Sequence, residues 1–365
     1  MKKKNLAFVI HSMASGGAER VVSIISSRLV SEYNVFIFTL TAEKSYYHLP
    51  PEVTHIFCCE GSMPSANIWD ALKTNYKIYK AIIKHLKMYQ IHNCIAFMTS
   101  TNIITTLASK SQGIPVIICE RNNPYIETKS INLFWRIIRR LVYPLANKLV
   151  VQTDQVKTFY QSFIIEKKLK TIPNPINPEF QTLKTSNIPK KNILLNVGRL
   201  EYQKGQDVLI RAFKKANLEN WVLFIIGEGS LRNPLENLID ELGLKDQVFL
   251  LGKRKNVSKY YLSSTIFIFS SRFEGFPNAL LEAMYFGMPC ISTDCPTGPS
   301  EMIKDNVSGL LTPVDNVDKL AKKISLLSKN PTLRNTLSKN AYESVKQYSC
   351  ENIISEWRDL IEKLP

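Results

Sequence analysis

The stretch "TIFIFSSRFEGFPNALLEAMYFGMPCISTD", Thr265 to Asp294, runs from a β-branched and aromatic segment through a loop bearing Gly275 and Pro277 into a helical segment and a second short run, "CIST". Strand, helix and strand in this order form the repeating unit of a parallel sheet covered by helices. Two carboxylates stand across the loop-to-helix boundary, Glu274 in the loop and Glu282 one to two turns into the helix, with seven residues between them. In such sheets ligands bind beyond the carboxyl ends of the strands, which is where this loop lies. Glu282, facing back toward the loop, can accept two hydrogen bonds from a vicinal diol such as a ribose. Glu274 sits where a bound group's hydroxyls would arrive, beside backbone amides at a helix start. Taken singly, each glutamate is also compatible with an ordinary solvated surface position.

The alternation extends in both directions. "LAFVIH" leads through a Gly-rich turn into a helix with Ala18, Val21, Val22, Ile25 and Leu29 on one face, which is helical spacing. "VFIFTL", "VTHIFC", a long helix near Asp70 to Met88, "CIAF", "PVIIC" and "KLVVQ" follow. Around residues 173 to 191, Pro173, Pro175, Pro178 and Pro189 interrupt any periodicity, and the segment reads as a linker. The pattern restarts with "ILLNV", "WVLFII" and "QVFLL". The expectation is an α/β chain of two doubly wound domains, residues 1–183 and 184–349, closed by a helix over 350–365 that carries Ile353, Ile354, Trp357, Leu360, Ile361 and Leu364. A chain of 365 residues can bury two such cores.

Composition narrows the class. With 45% apolar and 21% charged residues, disordered and fibrous chains are excluded. The seven cysteines show no C-x-x-C pair and read as small buried hydrophobes in a reducing compartment. The apolar run Leu6 to Ile10 is far shorter than a secretory core, and no segment approaches the roughly 20 apolar residues that span a bilayer, so a cytoplasmic location is expected. The net charge is +16, and residues 1–180 hold 22 Lys and Arg against 11 Asp and Glu. The first half therefore meets an anion: nucleic acid, an anionic membrane face or a phosphorylated substrate. Zinc-finger spacing and aromatic-basic RNP-like runs are absent from the sequence, so nucleic acid is not expected.

Three further strand-to-helix loops invite chemistry. In "HSMASGGAER", Gly16 and Gly17 open a helix whose amides and dipole favour an anion, or simply form a tight turn. In "LNVGRLEYQKGQD", Arg199 and Lys204 can converge on one diphosphate, Arg forking its oxygens and Lys acting as a point charge; a solvated basic loop is the alternative. "FIIGEGSLR", with Gly227, is by itself a tight turn.

Together, "SGGAER", "VGRLEYQKG", "GEGSLR", "FEGFPNALLEAMYFGMPCISTD", "TGPSEMI" and "DNVSGLL" resemble the family-4 retaining glycosyltransferases of GT-B fold over essentially the whole chain, with Glu274 and Glu282 as the family's E-x7-E signature. The layout is similar to the subgroup that extends lipid-linked oligosaccharides in bacterial polysaccharide or glycan assembly. The resemblance implies two Rossmann-like domains facing a central cleft, the first on the acceptor side and the second binding a nucleotide sugar, with the final helix packing back on the first. It implies that Arg199 and Lys204 hold the donor diphosphate, Glu282 the ribose and Glu274 the transferred sugar. Gly227, Gly275, Phe276, Pro277, Asn278 and Ala279 would line the donor, and Gly16 and Gly17 would let the first-domain loop approach it. Where many relatives carry a histidine, this chain reads "ICERNNPY"; Glu120 and Arg121 either contact donor or acceptor or pair with each other.

The expected reaction moves a hexose or N-acetylhexosamine, with retention, from a UDP-linked donor to a polyprenyl-diphosphate-linked saccharide, at the inner face of the plasma membrane. No cofactor or metal is expected, since cationic side chains stand where a metal would neutralise the diphosphate and the sequence has no D-x-D triplet. Rival readings are a nucleotide-sugar epimerase, a glycogen-synthase-like enzyme, or a basic membrane- or nucleic-acid-binding protein. Arg136, Arg139, Arg140 and Lys148 among Phe134, Trp135, Ile137, Ile138 and Leu141 suit an anionic membrane surface; the alternative is that this apolar face packs on the first-domain sheet. Lys73, Lys77, Lys80, Lys84 and Lys87 on the long helix add to the same domain's charge.

Overall fold

The computed structural model describes residues 3–59, 68–130, 133–183 and 189–365. Two compact units emerge: residues 1–175 together with 351–365, and residues 176–350. The first contains a sheet of seven strands, β1 (Lys4–Ile10), β2 (Tyr33–Thr39), β3 (Val53–Phe57), β4 (Asn93–Phe97), β5 (Val116–Cys119), β6 (Lys148–Val151) and β7 (Leu169–Thr171), in the order β3-β2-β1-β4-β5-β6-β7. The second contains six, β8 (Lys191–Val197), β9 (Val222–Ile226), β10 (Val248–Leu250), β11 (Ser264–Phe269), β12 (Cys290–Thr293) and β13 (Leu310–Thr312), in the order β10-β9-β8-β11-β12-β13. Every pairing between these strands is parallel.

The strand sequences explain the layering. β4 and β5 are buried along their whole length, as continuous apolar runs must be when helices cover both faces. In the second unit Ile266 and Ile268 of β11 point into one core with Leu209, Leu223 and Leu238. Phe267 and Phe269, at alternate positions, enter the other with Leu280, Met284 and Tyr261. This period-two division puts the loop after β11 at the sheet's carboxyl edge, as the sequence pattern requires.

The junction lies earlier than the expected boundary after residue 183. Ile176 donates its amide to the Tyr348 carbonyl and Phe180 packs against Phe286 with tilted rings, centroids 5.0 Å apart, so residues 176–183 belong to the second core. The helix Cys350–Glu362 groups with the first unit from Glu351 onward. Within that unit Trp357 is fully buried, and Lys170–Glu356 and Arg358–Glu32 ion pairs of 2.9 and 2.8 Å join the helix to the rest.

The helix Leu133–Val142 divides its apolar residues between two faces. Trp135 and Ile138 pack against the first unit's core with Val142, whereas Leu133, Phe134, Ile137 and Leu141 are exposed, Leu141 by 67%. Arg136 and Arg140 are exposed beside them. Arg139 departs from the expected basic face: it is 2% exposed, pairs with Glu127 at 3.1 Å and lies over the rings of Phe159 and Tyr160. Its place in the helical repeat, one turn from Trp135, turns it inward. Among the described residues, no helix is long and apolar enough to cross a membrane.

Candidate active site

At the carboxyl edge of the second sheet, the loops after β8 and β11 meet through Lys204 and Glu274. Lys204 sits at the end of the 3-10 turn Tyr202–Lys204, and its Nζ lies 2.6 Å from Glu274 Oε1. Ser271 Oγ donates to the same oxygen at 2.6 Å, and Gln203 Nε2 donates to Oε2 at 3.1 Å. The carboxylate is 6% exposed and the ammonium 17%, so the pair is largely desolvated and its geometry is held by neutral donors on both sides.

Backbone contacts fix the two loops against each other. Ser270 Oγ donates to the Lys204 carbonyl at 2.8 Å, and the Arg272 amide donates to the Gln203 carbonyl at 2.7 Å. Gly205 stands between them with φ +60, and a Cβ there would run into the Ser270 carbonyl oxygen, so only glycine fits. Gly227, φ +150, meets the Gly198 carbonyl in the same way, which brings the loops after β8 and β9 into contact. The Arg272 guanidinium forks Asp207 at 3.0 and 2.8 Å, reaches Asp315 at 2.7 Å and lies 4.1 Å from the Tyr202 ring centroid. It thereby ties the loop carrying Glu274 to the one carrying Lys204.

Arg199 is exposed, its Nη2 3.5 Å from Gln203 Oε1; it reaches into solvent from the loop that holds Lys204. Glu282, in the helix Asn278–Tyr285, is 7% exposed and accepts from Tyr261 Oη at 3.0 Å. It stands on the helix that follows Glu274's loop, with a hydroxyl partner. Gly275, Phe276, Pro277, Asn278 and Ala279 form the turn into that helix, but the Phe276 side chain is in the core, Pro277 has no N–H, and the Asn278 amide closes on the Phe276 carbonyl. The backbone amides of Gly275, Phe276 and Ala279 are what the turn itself can offer a ligand. Gly16 and Gly17 lie in the first unit, where Gly16 precedes the helix Gly17–Leu29.

Glu120 and Arg121 do not pair as the sequence allowed. Glu120, 1% exposed, contacts Tyr143 Oη and accepts from Asn102 Nδ2 at 3.2 Å and Thr99 Oγ1 at 3.2 Å. Thr99 also reaches Glu127 at 2.8 Å, so two carboxyl groups share this cluster with the cation of Arg139. Burial, reinforced by Glu127, raises Glu120 to about 8. The cysteines Cys94, Cys119 and Cys295 are pushed up to about 12 by burial, in keeping with packing roles.

Sequence reasoning missed Gln203, Ser271, Arg272 and Tyr261. The first three lie within a few residues of Lys204 or Glu274, where a buried carboxylate's need for donors could have pointed to them. Tyr261 lies 21 residues from Glu282, and only the folded sheet brings it there.

The described geometry accords with known proteins. Residues 15–180 match the model of Glycosyltransferase Family 4 and residues 179–344 that of Glycosyl transferases group 1. The chain is 31% identical over 98% of its own length and 98% of the relative's to the GalNAc-alpha-(1->4)-GalNAc-alpha-(1->3)-diNAcBac-PP-undecaprenol alpha-1,4-N-acetyl-D-galactosaminyltransferase of Campylobacter jejuni. It is 30% identical, over 94% of this chain and 96% of the relative, to the N-acetylgalactosamine-N,N'-diacetylbacillosaminyl-diphospho-undecaprenol 4-alpha-N-acetylgalactosaminyltransferase of the same organism. The solved structure of Anabaena HepE in complex with UDP superposes with a TM-score of 0.80 at 18% identity, covering 99% of this chain and 100% of the other.

The Glu120 cluster yields a pH dependence. An unfolded chain ionises this glutamate near 4.5, whereas the fold holds its proton to about 8; the folded state binds more protons between those values. Its stability contribution is full below 4.5 and is lost as pH rises to about 8. Glu120→Gln, which keeps the neutral hydrogen bonds, should match wild type near pH 4.5 and melt above it at pH 8.5, by about 2–4 °C for each kcal/mol recovered. Differential scanning calorimetry across that range checks this; a variant that melts lower at both pH values would contradict it.

Proposed function

This chain belongs to the family-4 glycosyltransferases of GT-B fold, and from that premise we propose that it transfers a hexose or N-acetylhexosamine, with retention, from a UDP-sugar to a polyprenyl-diphosphate-linked saccharide. The observation that carries the reading is the desolvated Lys204–Glu274 pair, with Arg199 on the same loop and Glu282 on the adjoining helix. Loss of UDP from an anomeric carbon develops negative charge on the diphosphate and positive charge on the sugar. Lys204 and Arg199 answer the first, and Glu274 lies where a sugar hydroxyl and the oxocarbenium-like ring need an acceptor. Glu282 takes the ribose, with Tyr261 fixing its rotamer. Gly275, Phe276 and Ala279 offer backbone amides to sugar and phosphate, with Pro277 and Asn278 shaping the turn that carries them and Gly227 holding the loop after β9 against the loop after β8.

The Campylobacter relatives are named for undecaprenyl-diphosphate-linked acceptors, which supports a lipid-linked acceptor here. A protein working on such a substrate needs a membrane-facing surface. The exposed ridge Leu133, Phe134, Ile137 and Leu141, flanked by Arg136 and Arg140, has the composition of a helix lying in an anionic headgroup layer. The protein is thus read as peripheral on the cytoplasmic face of the plasma membrane, without a resident metal.

Two measurements test this. Incubation with a panel of UDP-sugars, with and without a polyprenyl-diphosphate-linked saccharide, should give UDP release and acceptor elongation only when both are present, undiminished by EDTA. Turnover without acceptor would favour an epimerase, and activity lost to EDTA and restored by Mn2+ would overturn metal independence. Purified protein should sediment with anionic vesicles at low salt, be released as salt rises, and bind less when Arg136 and Arg140 are both changed to Glu, each basic residue contributing about 1 kcal/mol. Indifference to anionic vesicles at low salt would remove the membrane face.

A further inference from the structure

Arg121 follows β5 at the carboxyl edge of the first sheet, and its buried guanidinium forms no ion pair among the described residues. The residue is 8% exposed. Nη1 donates to Asn174 Oδ1 at 2.8 Å, and the guanidinium carbon lies 5.1 Å from the Phe97 ring centroid. These contacts hold the group's plane between the loops that leave β4, β5 and β7. Nε and Nη2 are buried and, among the described residues, meet no oxygen or nitrogen acceptor; the one weak acceptor beside the guanidinium is the Cys119 thiol. A buried guanidinium with such donors is costly, because its hydration has been removed and little has replaced it.

Glu120 and Cys119 both act on the guanidinium electrostatically, but neither forms an ion pair with it. Glu120 turns the other way, into the Tyr143, Asn102 and Thr99 cluster, and burial keeps its proton to about 8. The Cys119 thiol beside the guanidinium is pushed by burial up to about 12 and stays neutral at physiological pH. Asn174, 2% exposed, is a neutral amide. A rigid fork with two donor nitrogens lacking an oxygen or nitrogen acceptor, and a net positive charge, matches the oxygens of a phosphate group better than any uncharged ligand. Its position beyond the ends of parallel strands is where such sheets take ligands.

We infer that Arg121, oriented by Asn174 and Phe97, is a phosphate-binding site of the first unit. Two sources can bring that phosphate: the nucleotide donor or the diphosphate of a polyprenyl acceptor. The choice between those sources rests on the proposed transferase reading, whereas the unmet charge does not. Isothermal titration with UDP and, separately, with farnesyl diphosphate in detergent needs no turnover, so it reports on this site even for a protein that fails to transfer sugar.

Arg121→Met keeps an unbranched apolar stem and removes the charge and the fork. Its thermal midpoint without ligand should equal or exceed that of wild type, because an uncompensated buried charge is gone. Binding of one probe should weaken about ten- to a hundredfold while the other is unchanged; loss confined to UDP assigns the donor phosphate, and loss confined to farnesyl diphosphate the acceptor. Arg121→Lys, which retains charge but not the fork, should recover part of the lost affinity. Wild-type affinity of Arg121→Met for both probes would overturn the proposal. So would a lowered midpoint with both affinities reduced together, since that is what a purely structural arginine gives.

Discussion

The second unit is organised around one desolvated ion pair, Lys204 with Glu274 at 2.6 Å. Removing two such charges from water costs several kcal/mol for each ion, and the cost is offset only if partners complete the geometry. Ser271 and Gln203 do so on the carboxylate side. The pair therefore constrains everything near it. Gly205 must be glycine so that the backbone of one loop can pass the Ser270 carbonyl, and Arg272 must span from its own loop to Asp207 and Asp315. A preset arrangement of this kind suits a reaction whose demand is electrostatic, since donors already in place need no reorganisation as charge develops.

The first unit solves a different problem. Its carboxyl-edge loops bury Glu120, Arg121 and Arg139, three ionisable groups in a region otherwise lined by strand ends. Arg139 is paired with Glu127, burial holds the Glu120 proton to about 8, and Arg121 forms no ion pair among the described residues. The same Arg139 anchors the helix Leu133–Val142 from within, which frees that helix to present Leu133, Phe134, Ile137 and Leu141 outward. Packing inside and display outside are thus carried by one short helix with two apolar faces.

Much of this was legible in the chain. Continuous apolar strands alternating with amphipathic helices announced two parallel sheets, because a strand covered on both faces can carry few polar residues. The E-x7-E spacing placed Glu274 and Glu282 at one sheet edge, and "GRLEYQKG" placed Arg199 and Lys204 on another loop. The meeting of Lys204 with Glu274 was not readable, since it depends on β8 and β11 being neighbours, a pairing between strands far apart in sequence. The boundary was misjudged because prolines mark where the chain bends, whereas the burial of Phe180 decides which core owns the segment. The inward turn of Arg139 escaped notice for a related reason: a basic residue in a basic helix looks solvated until Glu127 and the Phe159 and Tyr160 rings are seen around it.

The most direct test of the account is a double-mutant cycle on Lys204→Met and Glu274→Gln, read as kcat/KM for the UDP-sugar with acceptor present and with folding checked by calorimetry. If the two side chains form one electrostatic unit, each single change leaves a buried charge without its partner and costs most of what the pair supplies. The double variant should then lose far less than the product of the single losses, with a coupling of at least about 1.5 kcal/mol. Losses that simply multiply, or single variants that turn over at near wild-type rates, would contradict the claim that this pair is the centre of the site.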